Sequence, residues 1–255
     1  MRIFLCAVLT AVALLAAPAA MAQSRAAEST WGGYLSLQGA ATLLQDADNK
    51  GDPFLSGFPD VSVESSYDLG YSVSAALGYS FQTPILSGRV GPLFPRLELE
   101  IAWRSNDIDE LKIKNDGGLG EFLDIGSLNG LSADASGDVN LLSALYNVWI
   151  DIVLPRPKSP YLRPVVPYFG GGIGIAGVWA NNVKVAGVKI IDDGDVEFAY
   201  QLGAGVGVEV TDWLVVTLDY RWMGTTQPRL KTEFDGKFDS EYSSHNLGMG
   251  LRYYF

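Results

Sequence analysis

The sequence predicts an all-β protein, an eight-stranded antiparallel up-and-down transmembrane β-barrel. Three observations lead to this prediction. Apolar and polar residues alternate along eight segments, the connections between those segments alternate in length, and no segment after residue 22 has the roughly 20 apolar residues that a membrane-spanning helix needs. A chain that crosses a membrane without such helices must close into a barrel, because only helices and closed barrels satisfy every backbone hydrogen bond in hydrocarbon.

Residues 1–22 have the pattern of a secretory signal peptide. Arg2 supplies the positive charge, residues 3–17 are an apolar run, and Ala20, Met21 and Ala22 form a small-residue cleavage site. We therefore expect the signal to be removed and the remaining chain to be exported. The single cysteine lies inside this signal, so the mature domain is expected to have neither disulfides nor thiolate metal sites.

The expected mature domain, residues 23–255, is strongly acidic. Removal of Arg2 leaves 17 basic residues against 29 acidic ones, a formal net charge of −12. This balance argues against binding to nucleic acid, whose phosphates require cationic partners. Charged residues make up only 18% of the chain and aromatic residues 11%, a composition that excludes a disordered segment.

Eight segments alternate with the two-residue period of a β-strand. The predicted strands are residues 31–43, 67–81, 96–108, 139–154, 166–180, 197–210, 214–223 and 243–255. In the second segment, Tyr71 and Val73 fall on one face, whereas Ser72 and Ser74 fall on the other. The apolar faces carry almost no charge and have aromatic residues near the strand ends, so we expect them to contact lipid.

The connections support the same architecture. Four are long, at residues 45–66, 109–138, 181–196 and 224–241, and three are shorter, at residues 82–95, 155–165 and 211–213. Outer-membrane barrels combine short periplasmic turns with long outer loops, and an even strand number returns both termini to the periplasm. The soluble alternative is a lipocalin-like barrel or a sandwich, which would reverse the two faces or bury both.

Charged residues of both signs fall on the inward face of the predicted strands. An eight-stranded barrel has an interior just wide enough to be filled by side chains. The predicted lumen network consists of Arg96, Glu98, Glu100, Arg104, Asp151, Glu197, Glu209, Asp219, Arg221 and Arg252. Buried charges are tolerated when they are paired, so we expect a polar plug; a narrow porin-like channel is the alternative.

Four motifs resemble a known family, the small outer-membrane β-barrels related to bacterial opacity proteins and to the OmpA transmembrane domain, within the porin-like barrels. They are Tyr-Phe-Gly-Gly-Gly-Ile-Gly at 168–174, Phe-Ala-Tyr-Gln-Leu-Gly-Ala-Gly at 198–205, Ser-His-Asn at 244–246 and Gly-Leu-Arg-Tyr-Tyr-Phe at 250–255. The resemblance covers essentially the whole mature chain. It implies a cell-surface protein of the Gram-negative outer membrane, which is exported through the inner membrane.

The same resemblance implies partners. In this family a terminal aromatic strand is recognised by the barrel-insertion machinery, so Leu251, Tyr253 and Phe255 are the expected insertion signal. Periplasmic chaperones, outer-membrane lipids and lipopolysaccharide are the other expected partners, and the barrel is expected to be a monomer. Because the chain ends with the barrel, we expect no peptidoglycan-binding domain of the OmpA type.

One residue pair raises the question of catalysis, because some small outer-membrane barrels are lipid A deacylases or acyltransferases. His245, the only histidine, faces outward with Ser243 on the same face. Serine and histidine can act as nucleophile and base when an acid orients the ring. No outward acid is evident nearby, and the order differs from the His-x-Ser spacing of the deacylases. We therefore predict no catalytic residues, no metal site and no cofactor.

The long connections contain 19 acidic and 8 basic residues, so most of the negative charge lies outside the membrane. Apolar stretches at 53–55 and 119–131 interrupt this charge and are suited to contact a host or matrix ligand. The sequence thus predicts a structural and surface-interaction role, in envelope integrity and in adhesion through acidic extracellular loops. The alternatives are a narrow channel and, third, a lipid A-modifying enzyme.

Overall fold

The chain forms an almost entirely β-stranded structure. The computed structural model describes residues 32–52, 61–87, 91–116, 121, 126–154, 164–185, 188–226, 229–231, 237–239 and 242–255. The predicted signal peptide and the apolar stretch at 53–55 lie outside these ranges. Within them, no helix is long and apolar enough to cross a membrane, a finding that does not bear on strands.

Thirteen strands follow one another in these ranges. They are β1 (Gly32–Leu44), β2 (Ala47–Asp52), β3 (Val61–Tyr67), β4 (Gly70–Ser80), β5 (Leu86–Ser87), β6 (Pro92–Asn115), β7 (Ser132–Ile152), β8 (Val165–Val185), β9 (Val188–Glu209), β10 (Leu214–Thr225), β11 (Arg229–Lys231), β12 (Lys237–Asp239) and β13 (Ser243–Tyr254).

Eight of these strands close into a barrel. The order is β1, β4, β6, β7, β8, β9, β10 and β13, and every neighbouring pair is antiparallel. The barrel closes where β13 pairs with β1, in a register that runs from Tyr34 opposite Tyr254 to Leu44 opposite Ser244. The predicted fold, an eight-stranded antiparallel up-and-down barrel, is confirmed.

The alternation of the sequence explains which face each residue takes. Along β13, Ser244, Asn246 and Arg252 point inward and are buried, whereas Leu247 and Met249 are more than 60% exposed on the outer face. Shifting the register by one residue would turn the charged face toward lipid, so the pattern fixes the register. The outer surface is apolar for the same reason.

Several strands are longer than the sequence predicts. The third barrel strand ends at Asn115 rather than at residue 108, and the fourth begins at Ser132 rather than at residue 139. Strand β6 has 24 residues. At roughly 3.3 Å per residue and a tilt of about 45°, it spans about 55 Å along the barrel axis. The apolar band of an outer-membrane barrel is only about 25 Å tall. A large part of the barrel wall therefore stands above the membrane.

The shorter strands complete this upper wall. Strand β2 continues β1, β3 leads into β4, β11 follows β10 and β12 leads into β13. They pair in the order β11, β12, β2, β3 and β6, and β11 lies beside β9. This order repeats that of the barrel strands below. Much of the first and fourth predicted long loops is thus strand rather than loop, because backbone pairing continues beyond the level where lipid imposes an apolar face.

Two levels of aromatic residues mark the membrane boundary. The outward aromatic pairs on the short-turn side are Tyr79–Phe81 and Trp213–Tyr253, with ring centroids 5.1 Å and 5.5 Å apart. Those on the other side are Trp103–Trp179 and Tyr200–Trp222, at 6.2 Å and 5.5 Å. Aromatic girdles of this kind flank the hydrocarbon region of membrane barrels. The girdle that contains Trp103 is called the upper girdle below.

Candidate functional site: the barrel interior

The barrel interior holds most of the charged residues that the sequence places there. Eight of the ten predicted residues are at most 8% exposed. The eight are Arg96, Glu98, Glu100, Arg104, Asp151, Asp219, Arg221 and Arg252. The eight charged residues carry four positive and four negative formal charges.

The two remaining candidates lie elsewhere on β9. Glu197 is half-buried toward the extracellular end, where its carboxylate accepts a hydrogen bond from the Thr226 hydroxyl. Glu209 is half-buried at the opposite end of the same strand, across from Val215. Gln201, which does contact the central charges, lies between them. The two glutamates have the inward parity that the sequence predicts, but they flank the charged cluster and, unlike its eight members, are only half-buried.

Arg96 organises the first group of charges. Its Nε and Nη2 atoms each lie 3.1 Å from an oxygen of Asp151, and its Nη1 donates to Glu98 Oε2 at 3.3 Å and to Tyr34 Oη at 3.0 Å. A two-pronged contact with Asp151 uses the planar fork of the guanidinium, which lysine lacks. Arg96 is therefore held from three sides.

Glu98 accepts hydrogen bonds from the surrounding barrel strands. Tyr34 Oη donates to Oε2 at 2.9 Å, Trp149 Nε1 donates to Oε1 at 3.2 Å and Asn147 Nδ2 donates to Oε1 at 3.4 Å. A buried carboxylate is tolerated only when such donors replace its water. These contacts connect β1, β6 and β7 across the interior.

Arg221 organises the second group. Its Nη1 contacts the carboxylate of Glu100, and its Nε donates to Asp219 Oδ1 at 3.1 Å. Tyr168 Oη donates to the other Asp219 oxygen at 2.7 Å, and Gln201 Nε2 donates to Glu100 Oε1 at 3.3 Å. Two arginines thus engage all four interior carboxylates.

The other two arginines form no ion pair with a carboxylate in the described part of the chain. Arg252 lies against aromatic faces instead, with its guanidinium carbon 5.3 Å from the ring centroid of Tyr34 and 5.4 Å from that of Tyr168. Arg104 donates from Nη1 to the Ser143 hydroxyl at 3.0 Å. Cation–π contacts of this kind stabilise a desolvated guanidinium. We refer to the eight charged residues with their hydrogen-bond partners as the charged cluster.

A second group of residues fills the interior toward the upper wall. This apolar cluster consists of Leu44, Ile108, Val139, Leu141, Leu145, Ala176, Val178, Ala180, Val183, Ala199, Met223 and Tyr242. All of them are at most 9% exposed, and Leu141 and Met223 are fully buried. An interior packed with hydrocarbon excludes water and hydrated ions. The interior is therefore filled mainly by charged side chains in one part and mainly by apolar side chains in the next, with Arg104 opposite Leu141 where the two parts meet.

Sequence reasoning missed both the aromatic partners and the apolar cluster. The side chains of Trp149 and Asn147 point inward because they share the parity of Asp151 on β7, so the signal for them was present. Tyr34 needs space, and Gly78 provides it: a Cβ atom there would lie 2.1 Å from Tyr34 Cζ. No polarity signal marks the apolar cluster, because its inward residues resemble the lipid-facing ones.

The side chains of His245 and Ser243 have different hydrogen-bond partners. The two ring nitrogens of His245 lie 2.6 Å from Tyr220 Oη and 2.8 Å from Gln45 Nε2. The Ser243 hydroxyl instead accepts a hydrogen bond from Trp222 Nε1 at 2.9 Å. Among the residues with described positions, no group of three or more His, Cys, Asp or Glu side chains is arranged to hold a metal ion.

The terminal residues of the expected insertion signal share the outer face of β13. Leu251, Tyr253 and Phe255 are 51%, 42% and 39% exposed. The Phe255 amide donates to the Gly33 carbonyl at 3.0 Å, and its ring covers Gly33, where a Cβ atom would lie 2.7 Å from the ring. The last residue is thereby attached to the first strand. Recognition of these residues by insertion machinery stays a prediction.

The chain is similar to several outer-membrane proteins of solved structure. One similar protein is Neisserial surface protein A, with 16% identity and a TM-score of 0.44; the match covers 88% of this chain and 97% of that chain. Another is OprG from Pseudomonas aeruginosa, with 14% identity and a TM-score of 0.47; the match covers 88% of this chain and 97% of that chain. The chain is also similar to the outer membrane protease OmpT from Escherichia coli, with 10% identity and a TM-score of 0.43; the match covers 91% of this chain and 99% of that chain. No curated protein sequence matches. The family model of the outer membrane protein beta-barrel domain matches residues 8–255, and the chain therefore belongs to that family of outer-membrane barrels.

Proposed function

We propose that this protein is a non-enzymatic, monomeric barrel whose sealed interior anchors an extracellular β-wall in the outer membrane, where it serves envelope integrity and surface interaction. The observation that carries the proposal is the interior. Arg96 and Arg221 pair with the four buried carboxylates, Arg252 lies against two tyrosine rings, and an apolar cluster adjoins these charges. Such an interior supports a rigid anchor rather than a solute path.

The narrow channel is the weaker alternative. A hydrated ion would have to separate Arg221 from Glu100 and Asp219 and then enter the apolar cluster. Separating a buried ion pair leaves its charges uncompensated, which is strongly unfavourable, and the apolar cluster adds a desolvation barrier. We infer that the barrel conducts no steady ion current.

Planar-bilayer recording tests this part of the proposal. The wild-type barrel is expected to show no reproducible open level. Trp149→Ala removes a fully buried indole from the charged cluster, so water can enter the interior and a measurable conductance is expected. Trp213→Ala removes an indole that is 50% exposed on the outer face and is expected to stay closed. A steady open level in the wild type would contradict the sealed anchor.

The extracellular wall supports the surface role. It rises from paired strands rather than from isolated loops, and the segments predicted as long connections contain 19 acidic and 8 basic residues. A rigid acidic surface suits bridging to lipopolysaccharide phosphates through divalent cations and contact with a host or matrix ligand. Cells that lack the protein are expected to become more sensitive to detergent and to chelators.

The proposed absence of lipid A-modifying activity is tested on lipid A itself, the substrate of the deacylases and acyltransferases among small outer-membrane barrels. His245 and Ser243 each bind other partners, which gives no support to a nucleophile and base. Mass spectrometry of lipid A from cells with and without the protein is expected to show identical acylation. A change in acylation that is lost with His245→Gln would instead support the enzyme.

A further inference from the structure

A contact on the outer face of the barrel joins β1 and β13, the two strands of the closure seam. The ring of Phe255 lies on Gly33, where a Cβ atom would be 2.7 Å from Cε2 and 3.0 Å from Cζ of the ring. The Phe255 amide also donates a hydrogen bond to the Gly33 carbonyl at 3.0 Å. Ring and amide thus attach the same two residues, and we call this pair of interactions the outer seam contact.

The seam differs from the other junctions of the barrel. Each of the others joins strands that follow one another in the barrel order along the chain, so the intervening segment keeps them close. No intervening segment of this kind holds β1 beside β13, which pair only when the whole barrel closes. Contacts between segments so distant in sequence carry the largest entropic cost of closure. The seam is therefore the junction that most needs additional attachment.

The inner face of the seam is attached at the same level, the end of the barrel opposite the upper girdle. Tyr34 and Tyr254 are directly opposite each other, and their ring centroids are 5.3 Å apart inside the barrel. On its other side, β13 is held to β10 by the Tyr254 amide, which donates to the Trp213 carbonyl at 2.8 Å. Tyr254 therefore fixes this end of the seam from inside, and Phe255 covers it from outside.

Glycine leaves room for the ring at this position of β1. The next residue on the same outward face is Leu35, whose side chain covers the strand. If β13 were shifted by two residues, Phe255 would lie opposite Leu35, and its ring would meet a side chain instead of the open backbone of Gly33. The outer seam contact therefore forms in the native register and not in this shifted one.

We propose that the outer seam contact is a closure device of the barrel. The Phe255 ring settles on Gly33 when β13 has paired with β1 in register, and it then keeps this end of the seam closed. The ring is 39% exposed on the lipid-facing surface. In lipid the gain comes from van der Waals packing of the ring on the glycine backbone, because hydrocarbon surrounds both the open and the closed seam.

The closure device shares Phe255 with the expected insertion signal. A Phe255 side chain that is held by the insertion machinery cannot lie on Gly33 at the same time. Transfer of the ring to Gly33 therefore accompanies release of the closed barrel. This second step rests on the predicted signal, whereas the closure device itself does not, and neither depends on the surface role proposed above.

Hydrogen exchange of the Phe255 amide tests the closure device in the full-length mature barrel in detergent micelles. Gly33→Ala places a methyl group against the outer end of an exposed ring, so the ring turns away while the strands stay paired. The Phe255 amide is expected to exchange about threefold to tenfold faster. Gly39→Ala is the matched control, because Gly39 lies on the same face of β1 with nothing within 4 Å of the added methyl. Equal exchange rates in the two variants would overturn the device.

Refolding into lipid vesicles separates closure from recognition. The gel shift of the unheated barrel gives the closed fraction at intermediate urea concentrations. Without insertion machinery, Gly33→Ala and Phe255→Leu are both expected to lower the closure equilibrium about threefold to tenfold, and Gly39→Ala is expected to leave it unchanged. A closed fraction in Gly33→Ala equal to that of Gly39→Ala would contradict the device.

Vesicles that contain purified insertion machinery test the transfer step. Phe255→Leu is expected to weaken the initial binding to the machinery, because it changes the signal. Gly33→Ala leaves the signal intact, so it is expected to bind normally but to stay cross-linked to the machinery longer than the wild type and Gly39→Ala. Release of Gly33→Ala at the wild-type rate would show that the transfer step is wrong.

Discussion

The charged cluster and the apolar cluster close the same barrel by different physical means. In the charged cluster, each side chain is fixed by named partners, as Arg96 is by Asp151, Glu98 and Tyr34. In the apolar cluster, Leu141 and most of the other members have hydrocarbon side chains, which are held by close packing. The comparison shows that one continuous wall of strands can enclose two kinds of core. It also predicts that the two clusters respond differently to substitution.

The largest effect is expected where one partner of a buried ion pair is removed. Arg221→Met leaves Glu100 and Asp219 without their shared cation inside the barrel. The free energy of unfolding should fall by about 3–5 kcal/mol, because an uncompensated buried charge remains. Urea unfolding in detergent micelles measures this loss. If the variant were as stable as the wild type, the carboxylates would already be hydrated, and the sealed interior would be contradicted.

A somewhat smaller effect is expected in the apolar cluster. Leu141→Ala should lower the free energy of unfolding by about 2–5 kcal/mol through lost burial and a residual cavity, and this loss should not vary with salt. Leu218→Ala is the matched control, because Leu218 is 48% exposed to lipid; its loss should stay below about 1 kcal/mol. Equal losses at the two leucines would mean that the upper interior is not closely packed.

The difference between the clusters also decides how much the sequence predicts. Where charged residues alternate with apolar residues along a strand, the alternation identifies the inward face. Arg96, Glu98 and Arg221 could therefore be placed inside the barrel from the sequence. In the extracellular half of β7, inward Leu141 is followed by outward Leu142, and the two-residue contrast disappears. Above the membrane both faces are mixed, so the ends of β6 and β7 and the existence of β2, β3, β11 and β12 could not be predicted.

Parity alone does not tell how far along the barrel an inward residue lies. Glu197 and Glu209 have the inward parity of β9, yet they lie toward its two ends rather than at the centre. Parity gives the face of a residue but not its height in the barrel. Height follows from the register with neighbouring strands, which depends on pairings distant in sequence. The partners of a buried charge are therefore harder to predict than its burial.

Space inside the charged cluster is the next feature to test. Gly78→Ala places a methyl group within 2.1 Å of the Tyr34 ring, so the ring must move away from Glu98 and Arg252. Overpacking of this kind should cost about 1–3 kcal/mol. Gly39→Ala adds the same methyl where nothing lies within 4 Å and should be neutral or stabilise by about 0.4–1 kcal/mol through the unfolded state. If urea unfolding showed a larger loss of stability for Gly39→Ala than for Gly78→Ala, Tyr34 would not be held as described.

The smallest effect is expected for charges in the extracellular wall. Lys114 Nζ lies 2.7 Å from Glu64 Oε1, but the two side chains are 44% and 25% exposed. Water and salt screen such a pair, so Lys114→Gln should cost only about 0.2–1 kcal/mol, and the difference should vanish at about 1 M salt. The loss in Arg221→Met should persist at the same salt concentration, because no ions reach a sealed interior. Unfolding curves of the two variants at low and high salt therefore measure whether solvent enters the charged cluster. If the loss of stability in Arg221→Met depended on salt, the charged cluster would be in contact with water.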